Sequence, residues 1–364
     1  MFSLIVLLNL LGLVMVLSAS SVAGIQDVGN SRWYFERQLM CVGLGAVALG
    51  LTYSFDYRLL RRIALPGYIA SIVLLFLVLV MGRTVGGSTR WIDFGFARLQ
   101  PSEIAKMALI VFIADLLASR EAHIGDRRRS LHPALLFFAP MALLVLREPD
   151  LGTTAILGSI LVAMLFVAGV PLRPLAVLAA GGVGATIGLA FVAEYRTRRV
   201  LTLFDPWSDP QGAGWQTLQS LTGLANGGST GVGLGASRAK WGYLPNSHTD
   251  FIFAIIGEEL GLVGSLTVLL MIAALGLLGF RTALRAPDLF GQLLAAGITT
   301  WLLVQAFVNI GGVIGLLPIT GVTLPFMSFG GSSLLVTMAA AGVLLNVSKR
   351  SIESAAATEP ARGA

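Results

Sequence analysis

The chain has 364 residues, of which 55% are hydrophobic and only 12% charged, with a mean hydropathy of +0.83; soluble proteins carry about a quarter charged residues, so a soluble globular fold is excluded. The net charge of +6 at pH 7 comes from basic residues scattered over short connections rather than gathered on one polar module, which argues against nucleic acid and for anionic lipid or a phosphorylated ligand. The single Cys41 lies in an apolar stretch, cannot form an internal disulfide and reveals nothing about redox compartment.

Apolar runs of roughly 20 residues are long enough for a bilayer core of about 30 Å, and within lipid they must be helical so that every backbone polar group is satisfied internally. Ten such spans are predicted, at about 4–24, 38–54, 63–82, 101–118, 132–146, 151–170, 174–195, 250–280, 289–316 and 326–347. The first ends in SASSVAG, whose small residues imitate a signal-peptidase site, but no Lys or Arg precedes it, so it is read as a retained helix. An even number of spans puts both termini on one side. Lys and Arg are denser in the connections on that side, most of all at Arg127 to Arg129, which places the termini in the cytoplasm. The expected fold is an all-α integral membrane protein of about ten transmembrane helices. Residues 1–347 form one membrane domain and 348–364 a short, disordered cytoplasmic tail.

Ionisable groups inside or beside such spans are costly and mark function or tight polar packing. In STRWIDFGFARLQPSEIAK, Pro101 suits a first helical turn and sets Glu103 and Lys106 three apart on one face. They are either an internal salt bridge or a carboxylate beside a cation aimed at a phosphate, and spacing leaves both open. In REPDLGTT, Pro149 separates two apolar runs and leaves Arg147, Glu148 and Asp150 in a very short turn, where an acid either caps the next helix or serves a site.

A long outer connection, about 196–249, joins spans seven and eight, and a structureless segment of that length is usually functional. Its GLANGGSTGVGLG is too glycine-rich for regular helix and suits backbone that bends closely around something. No GKS or GKT follows it and no strand precedes it, so it is not a phosphate-binding P-loop. Then comes NSHTDFIFAIIGEELG. Asp250 opens the eighth span, either as a helix cap or as an acid placed for chemistry at the water boundary. Glu258 lies about two turns deeper and Glu259 faces the opposite way, so these two are expected to bind helices together or line a cavity. Gln305 and Asn309, four apart, suit interhelical hydrogen bonds. His123, His132 and His248 have no HExxH or Cys partners, so no zinc site is expected.

Four stretches taken together, RWIDFGFARLQPSEIAK, EPDLGT, GVGLGASRAKWGYLPNSHTDFIFAIIGEELGLVG and LPITGVTLPFMSFGGSSLL, resemble the SEDS polymerases, the RodA and FtsW proteins of bacterial wall synthesis. They occur in order along nearly the whole chain, and GVGLG and TGVTLPF are more similar to the FtsW branch. The resemblance implies ten helices and an inverting peptidoglycan glycosyltransferase that polymerises lipid II on the outer face of the cytoplasmic membrane, in elongation or division, releasing undecaprenyl pyrophosphate. It implies Asp250 as the catalytic carboxylate, with Glu103, Lys106, Arg90 and Asp150 near the cavity, and a class B penicillin-binding protein as transpeptidase partner. Phe329 departs from the pattern, since the family more often has tyrosine there.

A sugar hydroxyl attacking an anomeric carbon that bears a pyrophosphate needs a base and positive charge; the leaving group is acidic enough to depart without the proton donor that glycosidases supply. Asp250 is therefore expected to take the acceptor's 4-hydroxyl proton, and Lys106, Arg90 and Arg198 to stabilise the pyrophosphate. A divalent cation, Mg or Mn, held by Asp150 or Glu103, is a further expectation from the affinity of hard cations for such oxygens. Two other readings share the intramembrane charges: a flippase or transporter of the lipid-linked precursor, and a noncatalytic scaffold in which Asp250 is merely a cap.

Overall fold

Residues 1–85, 88–93, 98–192 and 194–358 are described by the computed structural model. They form α1 (Phe2–Val28), α2 (Trp33–Ser54), α3 (Leu60–Met81), strands β1 (Arg83–Val85), β2 (Ser88–Asp93) and β3 (Arg98–Leu99), α4 (Pro101–Ala118), α5 (Leu131–Arg147), α6 (Leu151–Ala168), α7 (Leu172–Ala190), α8 (Glu194–Phe204), α9 (Trp215–Gly227), α10 (Ile252–Arg285), α11 (Leu289–Val313) and α12 (Gly331–Thr358). Each predicted span overlaps one long helix, although 174–195 runs past the end of α7 to the start of α8, and 326–347 begins before α12. Among the described residues, seven helices, α1, α3, α6, α7, α10, α11 and α12, are long and apolar enough to cross a membrane by length and composition. The chain is a multi-pass membrane protein. Of the other long helices, α4 carries Glu103, Lys106 and Asp115, α5 has only 17 residues, and α2 begins with Glu36 and Arg37.

Burial sorts the helices into layers. In α11, 78% of the most apolar stretch is inside the protein, and the helix packs against α4, α6, α10 and α12. A helix that is apolar all round belongs in such a centre. In α7 the share is 6%, so that helix faces lipid along nearly its whole length and leans on α6. The pair α2 and α12 closes another flank, where Asn346 accepts from the Tyr57 backbone and donates to the Tyr53 carbonyl.

The two ends of the bundle carry different chemistry. At one end, exposed ion pairs link the connections: Arg58 to Asp288, Arg61 to Asp115 and Arg350 to Asp56. At the other end β1, β2 and β3 form a small antiparallel sheet, which meets the 148–150 turn, the segment before α10 and the connection from α11 to α12.

Two expectations need correction and a third gains its partner. The 196–249 connection is not structureless, because it contains α8 and α9. The glycine run bends closely around a break in α10. At Gly261 the backbone turns to φ 68°, ψ −163°, and the free amides and carbonyls are met by the run: Val232 and Gly233 donate to the Glu258 and Glu259 carbonyls, while Leu262 and Val263 donate to the Gly228 and Ser229 carbonyls. A Cβ on Gly261 would sit 2.4 Å from the Gly231 nitrogen, so only glycine permits the approach. Finally, the tail is helical to Thr358; the rest of it, residues 359–364, lies outside the described residues.

Candidate functional site

Five segments converge at the end of the bundle that carries the sheet. Arg90 comes from β2, where its guanidinium clamps the turn between α5 and α6: Nε donates to the Glu148 carbonyl at 3.3 Å, Nη2 to the Pro149 carbonyl at 2.6 Å, and Nη1 lies 3.6 Å from Asp150 Oδ2. Asp150 caps α6, accepting from the Thr153 amide and hydroxyl, each at 2.9 Å. The capping alternative for this acid is thus realised, and the same carboxylate also supports Arg90.

Asp250 behaves differently. The residue capping α10 is Phe251, with no side-chain hydrogen bond, and among the described residues none donates a hydrogen bond to the Asp250 carboxylate. The acid is partly exposed, and it faces Arg90 across Gly321. A Cβ on Gly321, which has φ 76°, would lie 3.6 Å from both Arg90 Nη1 and Asp250 Oδ2. Burial pushes the Asp250 carboxyl up from the ordinary 3.8 to about 6; Arg90 and Arg199 pull it back and Asp150 adds to the rise. A carboxylate so placed is half protonated close to neutrality, which suits a general base.

The arginine of α8 that acts on Asp250 is Arg199, whose Nη1 donates to the Ile319 carbonyl at 3.0 Å and which lines a small cleft with Thr202, Leu317 and Ile319. Arg198, expected in that role, is exposed one helical step away. The two arginines are a hundred degrees apart around α8, and a sequence in which α8 is unseen gives no reason to prefer either.

Lys106 is fully buried. Its Nζ lies 2.8 Å from Glu103 Oε1 and 2.6 Å from Gln305 Oε1, with the Trp301 ring 4.9 Å away. In this geometry the internal salt bridge is formed. Of the two acids expected as alternative oxygen donors to a divalent cation, Asp150 accepts from Thr153 and lies 3.6 Å from Arg90, while Glu103 pairs with Lys106 through Oε1. Among the described residues the buried Glu103 Oε2 has no hydrogen-bond partner, and no three His, Cys, Asp or Glu side chains group as metal ligands.

Glu258 and Glu259 bind structure together. Glu258 accepts from the Ser237 hydroxyl and from the Arg238 and Ala239 amides at 3.1 and 3.3 Å. Glu259 accepts from Ser18 of α1 at 2.6 Å and pairs with Lys240 at 3.3 Å. The outer connection is thus fastened to α10 and α1. His248, two residues before the catalytic candidate, packs between Tyr34 and Phe329 with ring centroids 4.5 and 5.6 Å away. Burial lowers its pKa to about 4, so it is neutral. Phe329, with no hydroxyl, serves as an edge of this aromatic cluster.

Sequence reasoning also passed over Glu148. Its side chain is completely buried and neither carboxyl oxygen has a hydrogen-bond partner. Burial pushes its pKa to about 9, Asp150 adds to this and Arg90 opposes it, so the acid holds its proton at neutral pH. The only available signal was its place beside Pro149 and Asp150 in a very short turn, which does not reveal burial.

Comparison with known proteins places these features in a family. Residues 1–353 match the profile of the cell cycle proteins FtsW, RodA and SpoVE. The chain is 42% identical over 347 residues to stage V sporulation protein E of Bacillus subtilis, covering 95% of each. It is 44% identical over 359 residues to the probable peptidoglycan glycosyltransferase FtsW of Mycobacterium tuberculosis, covering 98% of this chain and 68% of the other. Among solved structures it resembles the rod shape determining protein RodA of Thermus thermophilus, with TM-score 0.72, 30% identity and coverage of 96% and 95%. It also resembles a chain from a study of polymerization and crosslinking by a peptidoglycan synthase complex, with TM-score 0.78, 32% identity and coverage of 96% and 97%.

Proposed function

This chain belongs to the FtsW, RodA and SpoVE family and is a peptidoglycan glycosyltransferase, and we propose that Asp250 is the base with which it joins lipid II units into glycan strands. The observation that supports this assignment is a carboxylate that accepts no hydrogen bond from the described residues and is surrounded by Arg90, Arg199 and Asp150 beside the open Cα of Gly321.

In the proposed step, the Asp250 carboxylate takes the proton of the acceptor's 4-hydroxyl as that oxygen attacks the donor's anomeric carbon. The new carbon–oxygen bond forms, the bond from that carbon to the pyrophosphate oxygen breaks from the opposite side, and configuration inverts. The polyprenyl pyrophosphate leaves with its negative charge, which Arg90 and Arg199 stabilise; no proton donor is required. We assign this charge to arginines rather than to a metal on Asp150 or Glu103, because Asp150 already accepts from Thr153 and Glu103 Oε1 is paired with Lys106. Lys106 and Glu103 support the site from within, and Arg198 stands beyond it.

The ten long helices all cross the membrane in this reading, with the termini in the cytoplasm and Asp250 at the outer face of the bacterial cytoplasmic membrane. Likeness to a chain from a synthase complex supports a transpeptidase partner, a class B penicillin-binding protein. Purified protein given lipid II should yield long glycan strands, and Asp250→Ala and Asp250→Asn should yield none while remaining folded. Polymer from either variant at the native rate would defeat the base assignment, and undiminished movement of lipid II across a bilayer without polymer would favour transport instead.

A further inference from the structure

The segment carrying Asp250 is held by three consecutive carbonyls, each bound to a different group. His248 O accepts from the Phe329 amide at 2.9 Å, Thr249 O from the Ser328 hydroxyl at 2.7 Å, and Asp250 O from Asn309 Nδ2 at 2.7 Å. Asn309 is 4% exposed and stands in the middle of the packed helix α11. The same Nδ2 donates to the Val322 carbonyl, also at 2.7 Å. One amide group therefore bridges the backbone of the catalytic candidate and the backbone next to Gly321.

One turn earlier on the same face of α11, Gln305 repeats the pattern. Its Nε2 donates to the Thr323 carbonyl at 3.0 Å, while its Oε1 accepts from Lys106 Nζ and, at 2.7 Å, from Trp301 Nε1. Thr323 in turn shares a hydrogen bond of 3.0 Å with Ser333. The bond from Lys106 is the expected helix-to-helix one, between α4 and α11; beyond it, both amides reach out of the helix to loop carbonyls that have no ladder partner, where a buried unpaired carbonyl is costly. The buried ion pair thus fixes Gln305, Gln305 fixes Thr323, and Asn309 fixes Val322 and Asp250 together.

We propose that Asn309 is a positioning residue for glycosyl transfer, whose side-chain amide locks the backbone of Asp250 to that of Val322 so that the carboxylate faces Arg90 across Gly321. Asn309 touches no substrate; it acts through Asp250. The inference rests on Asp250 being the base. A group held within about 1 Å of its reacting geometry is worth up to about 100-fold in rate, which sets the size of the expected effect.

The test uses the full-length protein with lipid II and compares Asn309→Ala, Asn309→Ser and, as a control for disturbing buried polarity in α11, Thr300→Val. Asn309→Ala should lower kcat by about 10- to 100-fold with little change in KM. Its kcat should also lose the acid limb near pH 6, because a released Asp250 becomes better hydrated and titrates lower. Thr300→Val should keep the native rate and profile. Native kcat in Asn309→Ala, or a reduced kcat with an unmoved acid limb, would overturn the proposal as a mere loss of folded enzyme. If Asn309→Ala does not fold, Asn309→Ser, whose shorter donor keeps one bond at most, carries the same comparison. Hydrogen exchange separates this inference from the assignment beneath it. In the native protein the amides of 249–252 and 321–324 should open with one common protection, and in the Asn309 variants both should exchange faster together. Unequal protection in the native protein would overturn the clamp whatever Asp250 does, whereas polymerisation by Asp250→Asn would overturn the base assignment and leave the clamp to be judged by exchange.

Discussion

A carboxyl group pushed upward by burial costs the folded chain stability wherever the unfolded chain would have ionised it. For Glu148 the folded value of about 9 stands above the ordinary 4.5, so its contribution is fully favourable below 4.5 and is lost as pH rises toward 9. Near pH 7 the penalty is on the order of 3 kcal/mol at about 1.4 kcal/mol per unit. Glu148→Gln, which resembles the protonated acid, should therefore raise the melting temperature at pH 7 to 8, and the gain should vanish below pH 4.5. A melting temperature unchanged at pH 8 would show that Glu148 is ionised in the fold. Asp150 and Asp250 could be placed at helix entrances from Pro149 and the apolar run that follows Asp250, whereas Arg90, on β2, was named through the family resemblance. The choice of Arg199 over Arg198, and the burial of Glu148, were not legible, since neither follows from neighbours in the chain.

The break in α10 shows what an element needs beyond its own propensities. Apolar length defined ten helices and nearly their ends, because in lipid the backbone has no alternative to helix. The glycine run read as backbone bending closely around something, and its partner proved to be the α10 backbone at Gly261. Two features oppose any side chain there: the left-handed φ of 68° and the 2.4 Å approach to the Gly231 nitrogen. Gly261→Ala should cost roughly 1–3 kcal/mol, loosening the 228–240 segment that Glu258 and Glu259 fasten. Thermal melting in detergent and limited proteolysis would both report it. A variant as stable and as protease-resistant as the native chain would mean that the loop and the helix do not interlock. Expecting 196–249 to be structureless failed for a related reason: α8 and α9 are short and mixed in polarity, and gain their stability from what they pack on.

At the scale of the molecule, the sheet, the 148–150 turn and Asp250 gather at one end of the bundle, and the exposed ion pairs Arg58–Asp288, Arg61–Asp115 and Arg350–Asp56 lie at the other. With Cys41→Ala as background, a membrane-impermeant maleimide should label Trp241→Cys in intact cells and leave Arg128→Cys untouched; the reverse pattern would invert the proposed orientation. The sequence by itself determined the solvent, since 55% hydrophobic residues in long runs admit only a bilayer, and through its ordered motifs it determined the family. Those properties are local or additive along the chain. Only the tertiary structure decided which charges are spent on each other, as Lys106 and Glu103 are, and which remain available, as Asp250 does. Coulomb energy depends on distance and burial, and both are set by residues hundreds of positions apart brought together around α11.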